Sequence, residues 1–193
     1  MHTSRSMTTP ATLNFLIRDG LETDIERCLA LDHTYETDYV WQMHIHGEEG
    51  QQWEILFKRE RLPRTMPITL TPDEKRLQAA LPPEQCFLIA TKRDEPEILG
   101  YLAMYNDHVH HFGLIHDLLI SLPYRRYGIG TRLVNAARQW AKEHGLTRII
   151  IETQTKNYPG IAFCQQAGFT FCGFNDRYFQ NQDIAVFFSL SLR

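Results

Sequence analysis

Residues 123–131 read Pro-Tyr-Arg-Arg-Tyr-Gly-Ile-Gly-Thr, set between an apolar run (112–122) and a long amphipathic segment (129–144). A helix N-terminus carries unpaired backbone N–H groups and a partial positive charge. Glycine has no side chain to keep a ligand off that backbone. The turn at Gly128–Gly130 therefore suits an anion such as a pyrophosphate, with Arg125 or Arg126 adding charge-assisted hydrogen bonds. The plain alternative is a strand-to-helix turn with two surface arginines. Two commoner phosphate loops are excluded. A dinucleotide turn fails because Leu133 stands where G-x-G-x-x-G needs its third glycine. A Walker loop fails because no Gly-Lys-Ser/Thr follows.

Other reactive residue types are less suggestive. Histidines cluster as His-Val-His-His (108–111) and Met-His-Ile-His (43–46), and alternating spacing could put two on one strand face. No carboxylate or cysteine partner is evident, so no metal is expected. Four cysteines (Cys28, Cys86, Cys164, Cys172) include no C-x-x-C pair, which suggests neither zinc nor a disulfide framework. The net charge of −3 argues against a nucleic-acid partner, and no apolar run approaches a membrane span. A reduced, cytoplasmic enzyme is the expectation.

The elements that must hold the turn follow from periodicity. The 193 residues suit one domain over 12–193, after a lead-in at 1–11 that reads as disordered. Residues 12–18 read as a first strand, and Ile25, Cys28 and Leu29 fall at helical spacing. Residues 35–60 alternate around Gly47–Gly50 as a hairpin. A short helix follows, with Thr71 as N-cap and Pro72 in first position. Cys86–Lys92 and Glu97–Tyr105 form a second hairpin. The near-continuous apolar run at 112–122 implies a buried central strand. The helix after the glycine turn carries Ile129, Leu133, Ala136, Ala137 and Trp140 on one face and stops at Gly145. A strand at 147–153, a short helix at 160–168 and two terminal strands complete an α/β (α+β) domain with a mixed sheet.

On these residues the chain resembles a known family. Arg-Arg-Tyr-Gly-Ile-Gly-Thr (125–131) matches the Arg/Gln-x-x-Gly-x-Gly/Ala signature of the GNAT superfamily of acetyl-CoA-dependent N-acetyltransferases. Residues 115–141 look like that family's central strand, pyrophosphate loop and helix, and 149–174 like its next strand and a helix ending in Gly-Phe. Glu-Thr-Gln (152–154), Asn157, Phe163 and Ala-Gly-Phe (167–169) most resemble the streptothricin acetyltransferases. The likeness covers roughly 85–193. It implies a mostly antiparallel sheet of about seven strands flanked by helices, with acetyl-CoA as cosubstrate. By resemblance, backbone groups of Leu118, Leu119 and Ile120 would pair with the pantetheine arm. Arg125, Arg126, Tyr127, Gly128, Ile129, Gly130 and Thr131 would hold the pyrophosphate, and Asn157 and Phe163 would line the thioester end. A homodimer is plausible by the same analogy.

Acetyl transfer to an amine needs a neutral nucleophile, a donor to the developing oxyanion and, less strictly, a proton for the thiolate. The chain departs from its relatives at two of these posts. Where relatives often read Ile-Glu-Asp, with Glu as base, this chain reads Ile115-His116-Asp117. Histidine can take a proton near neutral pH, so His116 is the base candidate, against a buried structural histidine. Asp117 is expected to point to the opposite sheet face and to orient structure or substrate. Where relatives carry a tyrosine acid, this chain has Cys164. Cys164 is either a replacement acid or inert packing, and Tyr158 or Tyr178 could supply the missing phenol.

From Cys28 to Phe57 there is no lysine or arginine, while acids (Asp32, Glu36, Asp38, Glu48, Glu49, Glu54) alternate with aromatics. Tyr39, Trp41 and Trp53, with Asp117, are the candidate acceptor wall, since acids beside aromatic faces suit a basic amine. A half-buried hairpin with solvated acids explains the same pattern. Three functions are open: a small-molecule amine acetyltransferase of streptothricin type, a protein lysine or N-terminal acetyltransferase, and a non-catalytic acetyl-CoA-binding module.

Overall fold

A computed structural model describes residues 13–48 and 50–193, so the expected lead-in at 1–11 and Glu49 lie outside the described residues. The elements run β1 (Phe15–Asp19), α1 (Ile25–Leu29), β2 (Thr34–His46), β3 (Glu54–Thr69), α2 (Glu74–Gln78), β4 (Cys86–Lys92), β5 (Ile98–Asp107) and β6 (Phe112–Ile120). They continue with α3 (Ile129–Glu143), β7 (Arg148–Gln154), α4 (Tyr158–Gln166), β8 (Thr170–Asn175) and β9 (Ala185–Ser191). Seven strands form one sheet in the order β1-β4-β5-β6-β7-β9-β8, while β2 and β3 make a separate hairpin. All neighbours in the large sheet are antiparallel except β6 and β7. This is the mixed, mostly antiparallel sheet that the sequence implies.

Helices cover both faces, which is why β4 and β5 are apolar on both. On one face α3 and α4 bury Ile129, Leu133, Val134, Ala137, Ala141, Ile161 and Cys164 against Leu99, Leu102, Met104 and Ile115. On the other, Ile25, Cys28 and Leu77 of α1 and α2 pack on Phe87, Ile89, Tyr101 and Ala103. The α3 stripe extends the expected one: Ala136 and Trp140 sit at its margin, and Gly145 (φ 73) ends the helix. One start signal is corrected. Helix α2 begins two residues late, with Asp73 rather than Thr71 as N-cap, because the Asp73 carboxylate accepts the Lys75 N–H at 2.9 Å. Strand β3 also runs nine residues past the expected end of the hairpin, to Thr69, paired with β2 on both sides of an irregularity between Thr37–Met66 and Tyr39–Arg61.

The entry into α1 is fastened by charge. Arg18 donates twice to the Asp24 carboxylate, at 2.6 and 2.8 Å, and the Leu21 N–H adds a third bond at 3.0 Å. The Arg18 bond, more than any other contact, holds the buried Asp24 carboxyl below its ordinary value of 3.8. A depressed acid stabilises the fold wherever it is ionised, and that contribution fades as pH falls through the lowered value. Replacing Asp24 with alanine is expected to cost about 2 kcal/mol at pH 7. In urea melts the gap from wild type should narrow as pH falls below the ordinary carboxylate range, since the wild-type carboxyl then becomes protonated.

Candidate active site

Strands β6 and β7 pair in parallel only from Phe112–Arg148 to Ile115–Ile151. Beyond that point β6 keeps its partner β5, and β7 keeps β9, but the two part from each other. Leu118, Leu119 and Ile120 lie on the parted stretch of β6. At the point of parting, β6 carries a bulge: Ala103 pairs with Asp117 and Met104 with Ile115, leaving His116 as the extra residue. The bulge overturns the expectation that Asp117 faces away from His116. Alternation is broken by one residue, so both side chains lie on the α1–α2 face, and His116 Nδ1 stands 2.9 Å from Asp117 Oδ2. His116 is nine-tenths buried, with its side chain 10% exposed.

Further residues join this pair. Arg76 of α2 donates through Nε to Asp117 Oδ2 (2.9 Å) and through Nη2 to Glu152 Oε1 (2.7 Å) and to the His116 carbonyl. Burial would lower its guanidinium, but the charges of Asp117 and Glu152 prevail and hold it above its ordinary value. Tyr178 donates to Glu152 Oε2 at 2.8 Å. Burial, then the Glu152 charge, pushes its phenol up to about 12. Nothing in the sequence singled out Arg76. Glu152 carried a signal that went unused as chemistry, namely one acid within the buried run Ile-Ile-Ile-Glu-Thr-Gln.

On the other face lies the glycine turn. Gly128 (φ 81) is the N-cap of α3, and no side chain caps the helix. A Cβ built on Gly128 meets no atom within 4 Å, so the backbone is open to a ligand. Gly130 is glycine for another reason: its Cβ would stand 3.3 Å from the Phe163 ring, and the two helices touch there. Of the arginines, Arg126 (φ 71) is exposed. Arg125 turns inward and donates to the carbonyls of Ile120 (3.0 Å) and Thr34 (2.8 Å). Tyr127 and Thr131 are exposed, and Ile129 belongs to the core. Asn157 caps α4 by accepting the Gly160 N–H at 2.9 Å.

Two predicted residues are corrected. Cys164 is 1% exposed within the core, and burial pushes its thiol up to about 12. A thiol so enclosed packs and does not donate. Trp53 stands in the turn of the β2–β3 hairpin beside Gly47 and Gln52, 67% exposed and apart from Tyr39 and Trp41. Tyr39 and Tyr158 lie together, ring centroids 4.9 Å apart, and Arg59 sits over both. The acidic strand is also paired with a basic one: Arg61 lies opposite Tyr39 and Arg59 opposite Trp41. The wall is thus partly neutralised from within. Trp41 is fixed by its backbone N–H, which donates to the Thr155 carbonyl (3.0 Å), and its side chain packs on the core. Among the described residues no group of three or more His, Cys, Asp or Glu is arranged to hold a metal, and no helix is long and apolar enough to cross a membrane.

The central strands thus part between a bare glycine turn toward one face and a histidine–carboxylate pair toward the other. A model of the Acetyltransferase (GNAT) family matches residues 48–169, and the chain belongs to that family: it is an acetyltransferase. Streptothricin acetyltransferase A of Bacillus subtilis (strain 168) is 30% identical over 80 residues, which are 39% of this chain and 46% of that relative. That match thus spans less than half of the relative's length. Streptothricin acetyltransferase of Streptomyces lavendulae is 24% identical over 181 residues, covering 90% of this chain and 91% of the relative. A Bacillus anthracis protein crystallised in complex with acetyl coenzyme A superposes with a TM-score of 0.74 at 22% identity, over 92% of this chain and 98% of that one. At that identity the superposition establishes the fold.

Proposed function

We propose that the protein transfers acetyl from acetyl-CoA to a primary amine of a small basic molecule of the streptothricin kind. The observation that carries this reading is the His116–Asp117 pair, 2.9 Å apart at the point where β6 and β7 separate. The donor's diphosphate fits the open amides of residues 129–131 over Gly128, with exposed Arg126 beside them. The free edge of β6 at Leu118–Ile120 offers backbone groups to the arm, with Asn157 and Phe163 on the α4 side. When bound, acetyl-CoA supplies the activated acyl group.

The residues of the chain then divide the proton work. Asp117 accepts the Nδ1–H of His116, which leaves Nε2 as the basic nitrogen that takes the ammonium proton. Oδ1 of Asp117 receives no hydrogen bond from the described residues, and its side chain is 27% exposed. That oxygen suits the acceptor's ammonium group, next to the base. Tyr178 stays protonated at neutral pH, and its O–H donates a hydrogen bond to Glu152, away from the thioester. The thiolate, whose conjugate acid titrates near ~8.5, leaves without an acid.

The test is a screen of acceptors read by thiol release from acetyl-CoA. Streptothricin or a linear polyamine should raise release well above background, and histone-like or N-terminal peptides should not. Peptide-dependent release would favour a protein acetyltransferase. Silence with every small amine would remove the small-molecule reading.

A further inference from the structure

We propose that Arg76 is the positioning residue of this site: it fixes the β6 bulge and sets the balance of charge on the carboxylate that holds His116. The inference rests on the reading of His116 as the base and goes beyond it. Three partners define the role. Arg76 reaches from a five-residue helix to the His116 carbonyl, to Asp117 Oδ2 at 2.9 Å and, across the gap between the strands, to Glu152 Oε1 at 2.7 Å. A bulge leaves backbone groups without ladder partners, and here the guanidinium satisfies the carbonyl of the extra residue. Glu152 is 1% exposed in its side chain, and a carboxylate so buried persists only when paired. One planar group thus joins α2, β6 and β7 at the spot where the two central strands stop joining each other.

The electrostatic part follows from a shared atom. Asp117 Oδ2 contacts both His116 Nδ1 and Arg76 Nε. The carboxylate favours a protonated imidazole, and the guanidinium, spread over the same oxygen, weakens that preference. Among the described residues, the charged and titratable groups linked to the imidazole through Asp117 and its partners are Arg76 from α2, Asp117 from β6, Glu152 from β7, Tyr178 from the β8–β9 connection and Tyr101 from β5. Arg76 is the one cation among them. Without it the base would hold its proton to higher pH, and the bulge that aims it would lose an anchor.

The test is steady-state kinetics across pH on wild type, Arg76→Met, Arg76→Lys and His116→Gln, with acetyl-CoA and the best acceptor of the screen. Arg76→Met should lower kcat about tenfold or more through misplacement of the base. It should move the acid limb of kcat/KM to higher pH by up to about one unit. The KM for acetyl-CoA should be unchanged, because the glycine turn lies on the other face. Arg76→Lys, which keeps the charge, should leave the limb near its wild-type place. If Arg76→Met shows no cooperative melt, Arg76→Met with Glu152→Gln removes the stranded carboxylate, and the same limb shift is expected. A limb unmoved in a folded Arg76 variant, when His116→Gln carries it up toward the ammonium's own value, overturns the role of Arg76 and leaves the base reading intact. A limb that keeps its wild-type place in His116→Gln overturns the base reading itself.

Discussion

Replacing His116 with glutamine is expected to lower kcat on the order of 10²–10⁴-fold, the span general bases contribute, with acetyl-CoA affinity unchanged. Glutamine can still hydrogen-bond Asp117, so the bulge and the clamp of Arg76 should survive. What is lost is a nitrogen able to take a proton near neutral pH. The acceptor then reacts only through the small fraction already neutral. The variant's rate should keep rising toward the ammonium's own value near ~10.4, whereas wild type levels off earlier. Profiles of kcat/KM from pH 6 to 9.5 distinguish the two. A glutamine variant at full rate across that range would show that His116 is a structural histidine.

Gly128→Val is expected to abolish measurable acetyl-CoA binding. Gly128 sits at φ 81, where a β-branched residue is strained by roughly 1–3 kcal/mol, so this variant loses some stability as well. Gly128→Asn separates the causes, because asparagine tolerates the left-handed region. Its side chain enters space that is now open for at least 4 Å around a built Cβ. Calorimetry should show acetyl-CoA affinity reduced tenfold or more in the asparagine variant, about 1.4 kcal/mol, with its melting transition near wild type. Unchanged affinity in both variants would mean that the diphosphate lies elsewhere and that the turn only connects strand to helix.

The parts of this molecule written in local patterns could be read directly. Strands β4 and β6, helix α3 with its Gly145 stop, and the β2–β3 turn at Gly47–Gly50 follow from apolar period and glycine placement. Local competition misled the reading of α2: Thr71 and Asp73 both suit an N-cap, and the Lys75 N–H chose the aspartate. The site was legible only by halves. His116 announced itself by replacing a family acid, yet its relation to Asp117 depends on a one-residue bulge that no period reveals. Arg76 and Glu152 stand 76 residues apart, and their 2.7 Å contact arises from how α2 docks, which is a matter of tertiary packing. The acidic reading of residues 28–57 was incomplete for a similar reason. It counted one strand, and the fold set Arg59 and Arg61 of the next against it.

The seam between β6 and β7, closed at Ile115–Ile151 and open beyond, gives the molecule two doorways in place of one. On the proposed assignment, a guest lodged under the glycine turn leaves the opposite threshold to α2, β2 and the Tyr178 loop. Tastes in what receives the acetyl group can therefore drift through substitutions on that side alone, while the handling of its carrier stays untouched. A sheet left unfinished in its middle is in this sense a chassis: one half is kept constant, and the other is free to be rewritten.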